Sequence, residues 1–412
     1  MRKASIISIG NELLSGQTVD TNASYLSEKL LSIGIPVVSA YTSGDDIDLI
    51  VRMLNLASDD ADLVLVTGGL GPTDDDVTRQ AIAKFLGSEL ELQSELLEKI
   101  KNIFVLRERP MPERNKIQAY IPAGAKAIEN NLGTAPGIRA ESKGKLFFVM
   151  PGVPLEMKRM FEESVFPEIK KFAGKQAVVV LKLKCFGAGE SAIAEKLGDL
   201  MRRGRNPLIN CTVQYGVITL YILAAAEDKD KAQQMAEKDE KRMRNVLGGL
   251  IYGTGEQTLA EVVGAKLAQQ KKTLSAAESC TGGTLAKLLT DIPGASRYFT
   301  QGWITYSNNA KIKELGISAD LIEKEGAVSG PVAEAMAKGA RKKAGTDFAI
   351  GITGIAGPDG GSEYKPVGLV YISLDYDGGC ETKRFIFADS RDFIRLQAAQ
   401  AALNMLRLKV EI

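Results

Sequence analysis

The feature that most limits the fold is an alternation repeated along the chain. Short apolar runs suited to buried strands are followed by turns rich in Gly and then by apolar residues at helical spacing. Such alternation specifies βαβ units around a parallel sheet. Ala4–Ile9 (ASIISI) reads as the first strand and residues 24–31 as a helix, with Gly34 ending it. Residues 36–40 form the next strand, 47–57 the next helix and 62–66 (DLVLV) a buried central strand. Residues 67–72 make a Gly-rich turn, and 74–86 are expected as a helix with three acids in its first turn, where the macrodipole favours them. Lys145–Met150 (KLFFVM) is a later strand, followed by a helix over 154–163.

A chain of 412 residues exceeds what one core usually serves. Three α/β and α+β parts are expected, at 1–172, 173–250 and 255–412. In the middle part, 177–184 and 217–225 read as strands, 191–203 and the charged stretch 228–247 as helices, and 248–255 (GGLIYGTG) as a loose linker. The last part resumes the α/β pattern. Helices are expected at Leu259–Gln270, Thr284–Thr290, 331–344 and 393–408, and strands at 272–278, near 298–306, 348–353 and 367–374.

The chain contains no histidine, which excludes Ser-His-Asp and Cys-His mechanisms and every His-ligated metal site. Chemistry must run on carboxylates, Lys, Tyr, Ser/Thr, Cys, backbone amides or an oxygen-ligated metal. Lys+Arg 52 against Asp+Glu 51 leaves +1, so no basic field points to nucleic acid or an anionic membrane. Four separated cysteines without a CxxC pair suggest neither a disulfide framework nor a zinc site. No long apolar run or signal peptide is visible, and a cytoplasmic protein is expected.

Two C-terminal turns stand out. Residues 276–284 (AAESCTGGT) place Ser, Cys, Thr and two glycines between a strand and a helix, where amides can hold a phosphate or a developing oxyanion. Residues 352–361 (ITGIAGPDGG) repeat the device, and two such turns at the carboxyl ends of neighbouring parallel strands would face one crevice. Between them, Ser296, Tyr306, Ser307 and Lys311 supply the hydroxyls and amine that a His-free hydrolase needs. A lysine acts as a base if burial lowers its pKa. Read blandly, Tyr306 caps a strand and Lys311 is solvated.

AESCTGG, PGAS, WITYSNNAK, GAVS, GITGIAGPDGGSEYKPVG and RDFIRLQ, six motifs in order, resemble the competence/damage-inducible CinA family. Its C-terminal domain hydrolyses the amide of nicotinamide mononucleotide to nicotinic acid mononucleotide and ammonia. The resemblance implies a site of Ser279, Cys280, Thr281, Ser296, Tyr306, Lys311 and Thr353, with Gly282, Gly283 and Gly354 in phosphate-binding turns, Arg391 or Arg395 on the phosphate, and no cofactor. On this reading Lys311 with Tyr306 supplies the base and proton relay, and Ser296 or the backbone near Ser279 polarises the carbonyl. Ser279, Cys280 and water are all open as the attacking group, Cys280 also being readable as packing.

Near the start, residues 9–22 (IGNELLSGQTVDTN) and 67–78 (TGGLGPTDDDVT) join glycines to a carboxylate cluster, an arrangement suited to a divalent metal and a pyrophosphate. Thr73 or Asp74 reads equally as a helix N-cap. There is no GxxxxGK[ST], and GLGPTD lacks the third glycine of a dinucleotide fingerprint. With 130–137 (NNLGTAPG) and 150–156 (MPGVPLE), these segments resemble the MoaB/Mog-like molybdopterin-binding fold that forms the first domain of CinA proteins. That resemblance implies metal-dependent ADP-ribose pyrophosphatase activity, with Asn11, Glu12, Asp20, Asn22, Gly68, Gly69, Gly71, Thr73, Asp74, Asp75 and Glu156 lining the site. Asp74, Asp75 and Glu156 would hold a divalent metal (Mg, Mn or Co), potassium would be a further ion there, and Asp75 and Glu156 would activate water. A pterin-binding module without hydrolysis, or a non-enzymatic scaffold in competence, is the alternative.

The middle part resembles the family's KH-like domain, but its Gly187-Ala188-Gly189-Glu190 puts an acid where an RNA-clamping GXXG loop needs glycine. The short basic stretch 201–205 (MRRGR) reads as a solvated helix end. The resemblance implies small nucleotides and a homodimer as partners, and no direct nucleic acid or membrane contact is expected.

Overall fold

The computed structural model describes residues 2–173 and 177–410. They fall into two compact units. One runs up to Val179 and includes Ala224–Gln234; the other comprises Val180–Leu223 and residues from Met235 onward.

The first unit contains β1 (Ala4–Ile9), β2 (Val37–Ser43), β3 (Leu63–Thr67), the short pair β4 (Leu90–Leu92) and β5 (Tyr120–Pro122), β6 (Lys126–Ile128), β7 (Gly137–Ser142) and β8 (Lys145–Met150). Six of them form one sheet in the order β2-β1-β3-β8-β7-β6. Pairing is parallel from β2 to β8 and antiparallel at β7 and β6. Successive side chains of a strand face opposite sides, and here both sides are apolar. Ile6, Leu65 and Phe148 enter one core with Leu26, Leu30 and Phe161, whereas Ile7, Val66 and Val149 enter another with Ile50, Leu54 and Ile82. A sheet with two apolar faces needs helices on both, hence three layers. The helices are α1 (Asn11–Leu14), α2 (Thr21–Leu31), α3 (Ile47–Asp60), α4 (Thr78–Leu86), α5 (Ser94–Leu106), α6 (Pro154–Met160) and α7 (Phe166–Ala173).

Residues 74–77 are not helical, contrary to expectation, and neither Thr73 nor Asp74 caps the helix. The Asp76 carboxylate accepts from the amides of Gly71 (2.7 Å) and Thr73 (2.9 Å), folding the acids into a tight turn before α4 begins.

A four-stranded sheet, order β10-β11-β9-β12, follows from β9 (Ala177–Cys185), β10 (Leu208–Gln214), β11 (Val217–Ala226) and β12 (Ile251–Thr254). Its helices are α8 (Glu190–Leu197) and α9 (Lys229–Leu247). The segment 248–255, expected as a loose linker, contains β12, which pairs antiparallel with β9 and buries Ile251 and Tyr252. The helix expected over 191–203 stops at Leu197, where Gly198 takes φ +50°.

The last part has β13 (Leu274–Glu278), β14 (Phe299–Ile304), β15 (Phe348–Gly354), β16 (Leu369–Tyr376) and β17 (Gly379–Ile386) in the order β14-β13-β15-β16-β17. The first three are mutually parallel and the last two antiparallel. Its helices are α10 (Leu259–Gln270), α11 (Thr284–Thr290), α12 (Asn308–Leu315), α13 (Ala319–Glu325), α14 (Gly330–Ala344) and α15 (Arg391–Val410). Ala276 and Ile350 face a core containing Leu267 and Leu406, while Ala277 and Ala349 face Val332 and Met336. The turns after β13 and β15 therefore share one edge of the sheet, as expected. Among the described residues no helix is long and apolar enough to cross a membrane.

Gly351 lets α14 rest directly on β15, because a Cβ there would lie 2.3 Å from the Ala333 carbonyl oxygen. Gly351→Ala should therefore destabilise this part by about 1–3 kcal/mol, read as a lower thermal midpoint. An unchanged midpoint would contradict this packing.

Candidate active site

Strand β13 ends at Glu278, and Ser279 extends it by one bond, its amide donating to the Ile352 carbonyl at 3.0 Å. Across from it the Thr305 amide donates to the Glu278 carbonyl at 2.8 Å. Ser307 then caps α12 by accepting from the Ala310 amide, so Lys311 falls in the first turn. Its side chain is only 1% exposed. The amine Nζ lies 3.0 Å from Ser279 Oγ, 2.8 Å from the Thr305 carbonyl and 3.4 Å from the Tyr306 carbonyl. Among the described residues no carboxylate pairs with it. Burial pulls its pKa below the ordinary lysine value, with Cys280 opposing weakly. The solvated reading of Lys311 is thus overturned.

The turn after Ser279 is held by a residue that the motif reading passed over. Glu278, 1% exposed, accepts from the amides of Gly283 (3.0 Å), Leu285 (3.1 Å) and Ala286 (2.8 Å). Gly282 (φ +56°) and Gly283 (φ +94°) make the turn possible, but the Gly283 amide already has its acceptor. Among the described residues the amides of Cys280 and Thr281 donate to no backbone carbonyl, and both act on the Cys280 sulfur. Arg395 gives Nε (3.1 Å) and Nη2 (3.0 Å) to the Thr281 carbonyl. Arg391, exposed at the start of α15, gives Nη1 to the Gly357 carbonyl (2.5 Å) and Nη2 to the Tyr306 hydroxyl (3.0 Å). Tyr306, 61% exposed, approaches Lys311 through its carbonyl, its hydroxyl being turned to Arg391. The hydroxyls of Thr281 and Thr305 are buried without a partner.

Three expected residues serve otherwise. The Thr353 hydroxyl donates to the Ala327 carbonyl at 2.7 Å and anchors the loop before α14. Gly354 pairs with Val370, and its missing Cβ would lie 2.7 Å from the Leu369 carbonyl, so it serves strand packing. Ser296 is exposed ahead of β14, beyond the Leu274 end of the sheet. At the rise of a parallel strand this is about 17 Å or more from the Ser279 edge.

In the amino-terminal unit, expected residues gather at the carboxyl edge of β1, β3 and β8. A crevice of about 80 Å3 is lined by Glu12, Asp20, Asn22, Thr67 and Gly152. Asp20 caps α2 through the Ala23 amide, and Asn22 donates to the Gly152 carbonyl while its Oδ1 is buried without a partner. Asn11 donates its amide to Asp45 at 3.0 Å. Burial pushes the Asp45 pKa up; the Asn11 amide opposes this, and the charges of Glu12, Asp75 and Asp76 add to it. Asp45 was invisible in the motifs. Gly68 and Gly69 let this turn pass close to the Ile9 carbonyl and the Thr78 hydroxyl, and Gly71 leaves room for Asp76. The Thr73 hydroxyl donates to Asp76 at 2.5 Å. Asp74 and Asp75 are exposed, whereas Glu156 accepts from Asn130 at 2.7 Å. Among the described residues no three His, Cys, Asp or Glu side chains gather closely enough to hold a metal ion.

Comparison with known proteins gives the same order of parts. A family described as "Probable molybdopterin binding domain" matches residues 5–171, "Damage-inducible protein CinA KH domain" matches 182–253, and "CinA C-terminal domain" matches 256–410. A competence-damage inducible protein of Caldicellulosiruptor bescii is 42% identical over 99% of this chain and 99% of its own length. A CinA-like protein of Kosmotoga olearia is 43% identical over 98% of each. The chain belongs to the CinA family. A crystal structure of CinA from Thermoplasma acidophilum, titled as of unknown function, is 36% identical, covers 41% of this chain and 98% of that one, and has a TM-score of 0.38.

The CinA cluster contains one cysteine, and it is quiet. Burial pushes the Cys280 thiol up to about 12, outweighing the neighbouring amides and Lys311. In the middle part, Glu190 accepts from the Cys211 thiol at 3.2 Å, and Arg205 of the basic stretch is bound to the buried Asp239 at 2.6 Å. With so high a pKa the thiolate fraction of Cys280 is roughly 10³ below that of an ordinary thiol. Alkylation by iodoacetamide at neutral pH should therefore be far slower at Cys280 in the folded protein than after unfolding. Rapid stoichiometric labelling of Cys280 in the folded protein would contradict this.

Proposed function

We propose that the C-terminal part of this CinA chain is a Ser–Lys amidohydrolase that converts nicotinamide mononucleotide to nicotinic acid mononucleotide and ammonia. The observation that carries the reading is the buried Lys311 amine 3.0 Å from Ser279 Oγ. A serine hydroxyl attacks only if a base takes its proton, and a desolvated lysine with no carboxylate partner is such a base. The Ser279 proton passes to neutral Lys311 as Oγ bonds to the carboxamide carbon. The oxyanion formed faces the amides of Cys280 and Thr281. Lys311 returns the proton to the departing nitrogen, leaving an ester on Ser279 and ammonia. Lys311 then takes a proton from water as the water oxygen bonds to the ester carbon, and returns that proton to Ser279 Oγ as the C–Oγ bond breaks. The acid released loses its own proton to solvent as the carboxylate.

Cys280 is the weaker nucleophile because its thiol stays protonated. Of the two arginines, Arg391 is the better candidate for the substrate phosphate: each gives two nitrogens to groups of the chain, but Arg391 is exposed whereas Arg395 is half-buried against the turn. Ser296 has no part in this scheme.

For the amino-terminal part, the resemblance suggests ADP-ribose hydrolysis to AMP and ribose 5-phosphate with a divalent metal. The charges of Glu12, Asp75 and Asp76 reach Asp45 there, which suits a cationic ion in kind. The described residues do not converge into a ligand cage, so no step through an ion is derived.

The test incubates full-length protein separately with nicotinamide mononucleotide and with ADP-ribose, with and without a chelator. Ammonia release should survive chelation, fall at least ~10³-fold in Ser279→Ala and Lys311→Met, and rise with pH through a Lys311 pKa below the ordinary lysine value, because only the neutral amine is a base. AMP release should vanish with the chelator. Full ammonia release by Lys311→Met would defeat the amidase mechanism, and chelator-resistant AMP release would defeat the metal requirement.

A further inference from the structure

The turn from Ser279 to Gly283 can be accounted for group by group, since each buried amide and carbonyl needs a partner. The Ser279 carbonyl accepts from the Gly282 amide at 3.1 Å. The Thr281 carbonyl takes two donors from Arg395 besides the Thr284 amide (3.1 Å) and hydroxyl (2.7 Å), and the Gly283 amide is taken by Glu278. Among the described residues the amides at Cys280 and Thr281, the two that follow the serine, donate to no backbone carbonyl; both lie close enough to the Cys280 sulfur to act on it.

We infer that Glu278 and Arg395 are positioning residues that clamp this turn from opposite sides, so that the Cys280 and Thr281 amides stay aimed at the oxygen of a carbonyl attacked by Ser279. This rests on the Ser279–Lys311 reading and adds two residues to it that touch no reacting atom. The Glu278 carboxylate occupies the start of α11 with three amide bonds, as a bound anion would. A substrate phosphate is thereby kept from the start of α11. The Arg395 guanidinium lies 3.2 Å from where a Cβ on Gly282 would be, so it packs against the turn as well as bonding to it. The planar fork grips the carbonyl in one orientation, which a lysine would do less well. Together they fix the peptide planes 281–282 and 282–283, and the Gly282 amide, donating to the Ser279 carbonyl at 3.1 Å, passes that restraint to the plane that carries the Cys280 amide.

The experiment measures two quantities in full-length wild type, Glu278→Gln, Arg395→Met and Arg395→Lys. One is kcat and KM for ammonia release from nicotinamide mononucleotide. The other is the rate at which an alkyl fluorophosphonate labels Ser279, a reaction in which Oγ displaces fluoride and the phosphoryl oxygen needs the same amides. Both are normalised to folded protein by near-UV circular dichroism. Glu278→Gln and Arg395→Met should each lower kcat and the labelling rate about 10²-fold with KM within about twofold, and Arg395→Lys should recover part of the loss. Unchanged rates per folded molecule, or a raised KM at unchanged kcat, would overturn the clamp. Labelling of wild type without ammonia release would sink the substrate assignment while the labelling rates still decide the clamp. Absence of wild-type labelling would overturn both.

Discussion

The C-terminal part is organised around a lysine amine held out of water without an opposing carboxylate. Burying an ammonium is costly unless it is paired, and among the described residues Lys311 bonds to a hydroxyl and two backbone carbonyls. Such a setting favours the neutral amine, the form that can take a proton. The surrounding chain is built to keep that setting: Thr305 is pinned to β13, Ser307 starts α12, and the parallel sheet brings Ser279 opposite.

A second theme recurs in both α/β parts. Turns rich in glycine invite reading as anion cradles, yet one in each part binds a carboxylate of the chain itself. Asp76 takes the amides of Gly71 and Thr73, and Glu278 takes those of Gly283, Leu285 and Ala286. The glycines are there because the backbone passes close to other groups or turns left-handed, not because a ligand must approach every amide. Chemistry is left to the few groups that this self-satisfaction does not consume.

Much of this was legible beforehand, and the exceptions have physical causes. Strands β1 and β8 and helices α10 and α11 begin and end where their apolar patterns do, because buried parallel strands and capped helices carry strong local signals. The acids at 74–76 misled because a side-chain turn competes with a helix start for the same residue types. The Gly-rich segment around β12 looked like a linker because an edge strand of four residues has too little pattern to outweigh its glycines. At the site, Ser279 and Lys311 were within reach of motif reading as polar groups of a His-free site, with the attacking group left open among Ser279, Cys280 and water. Glu278 and Asp45 were not, because a carboxylate that caps a turn or sits among other acids is recognisable only once the fold brings its partners together. Ser296 misled for the converse reason: nearness in sequence says nothing about which end of a strand a residue occupies.

The most direct test of the Ser279–Lys311 account is rapid-quench mass spectrometry of the protein mixed with nicotinamide mononucleotide in a single turnover. The account predicts a transient ester whose acyl mass maps to the peptide carrying Ser279 and decays as nicotinic acid mononucleotide appears. Product formation in one phase with no adduct, or an adduct on Cys280, would contradict it.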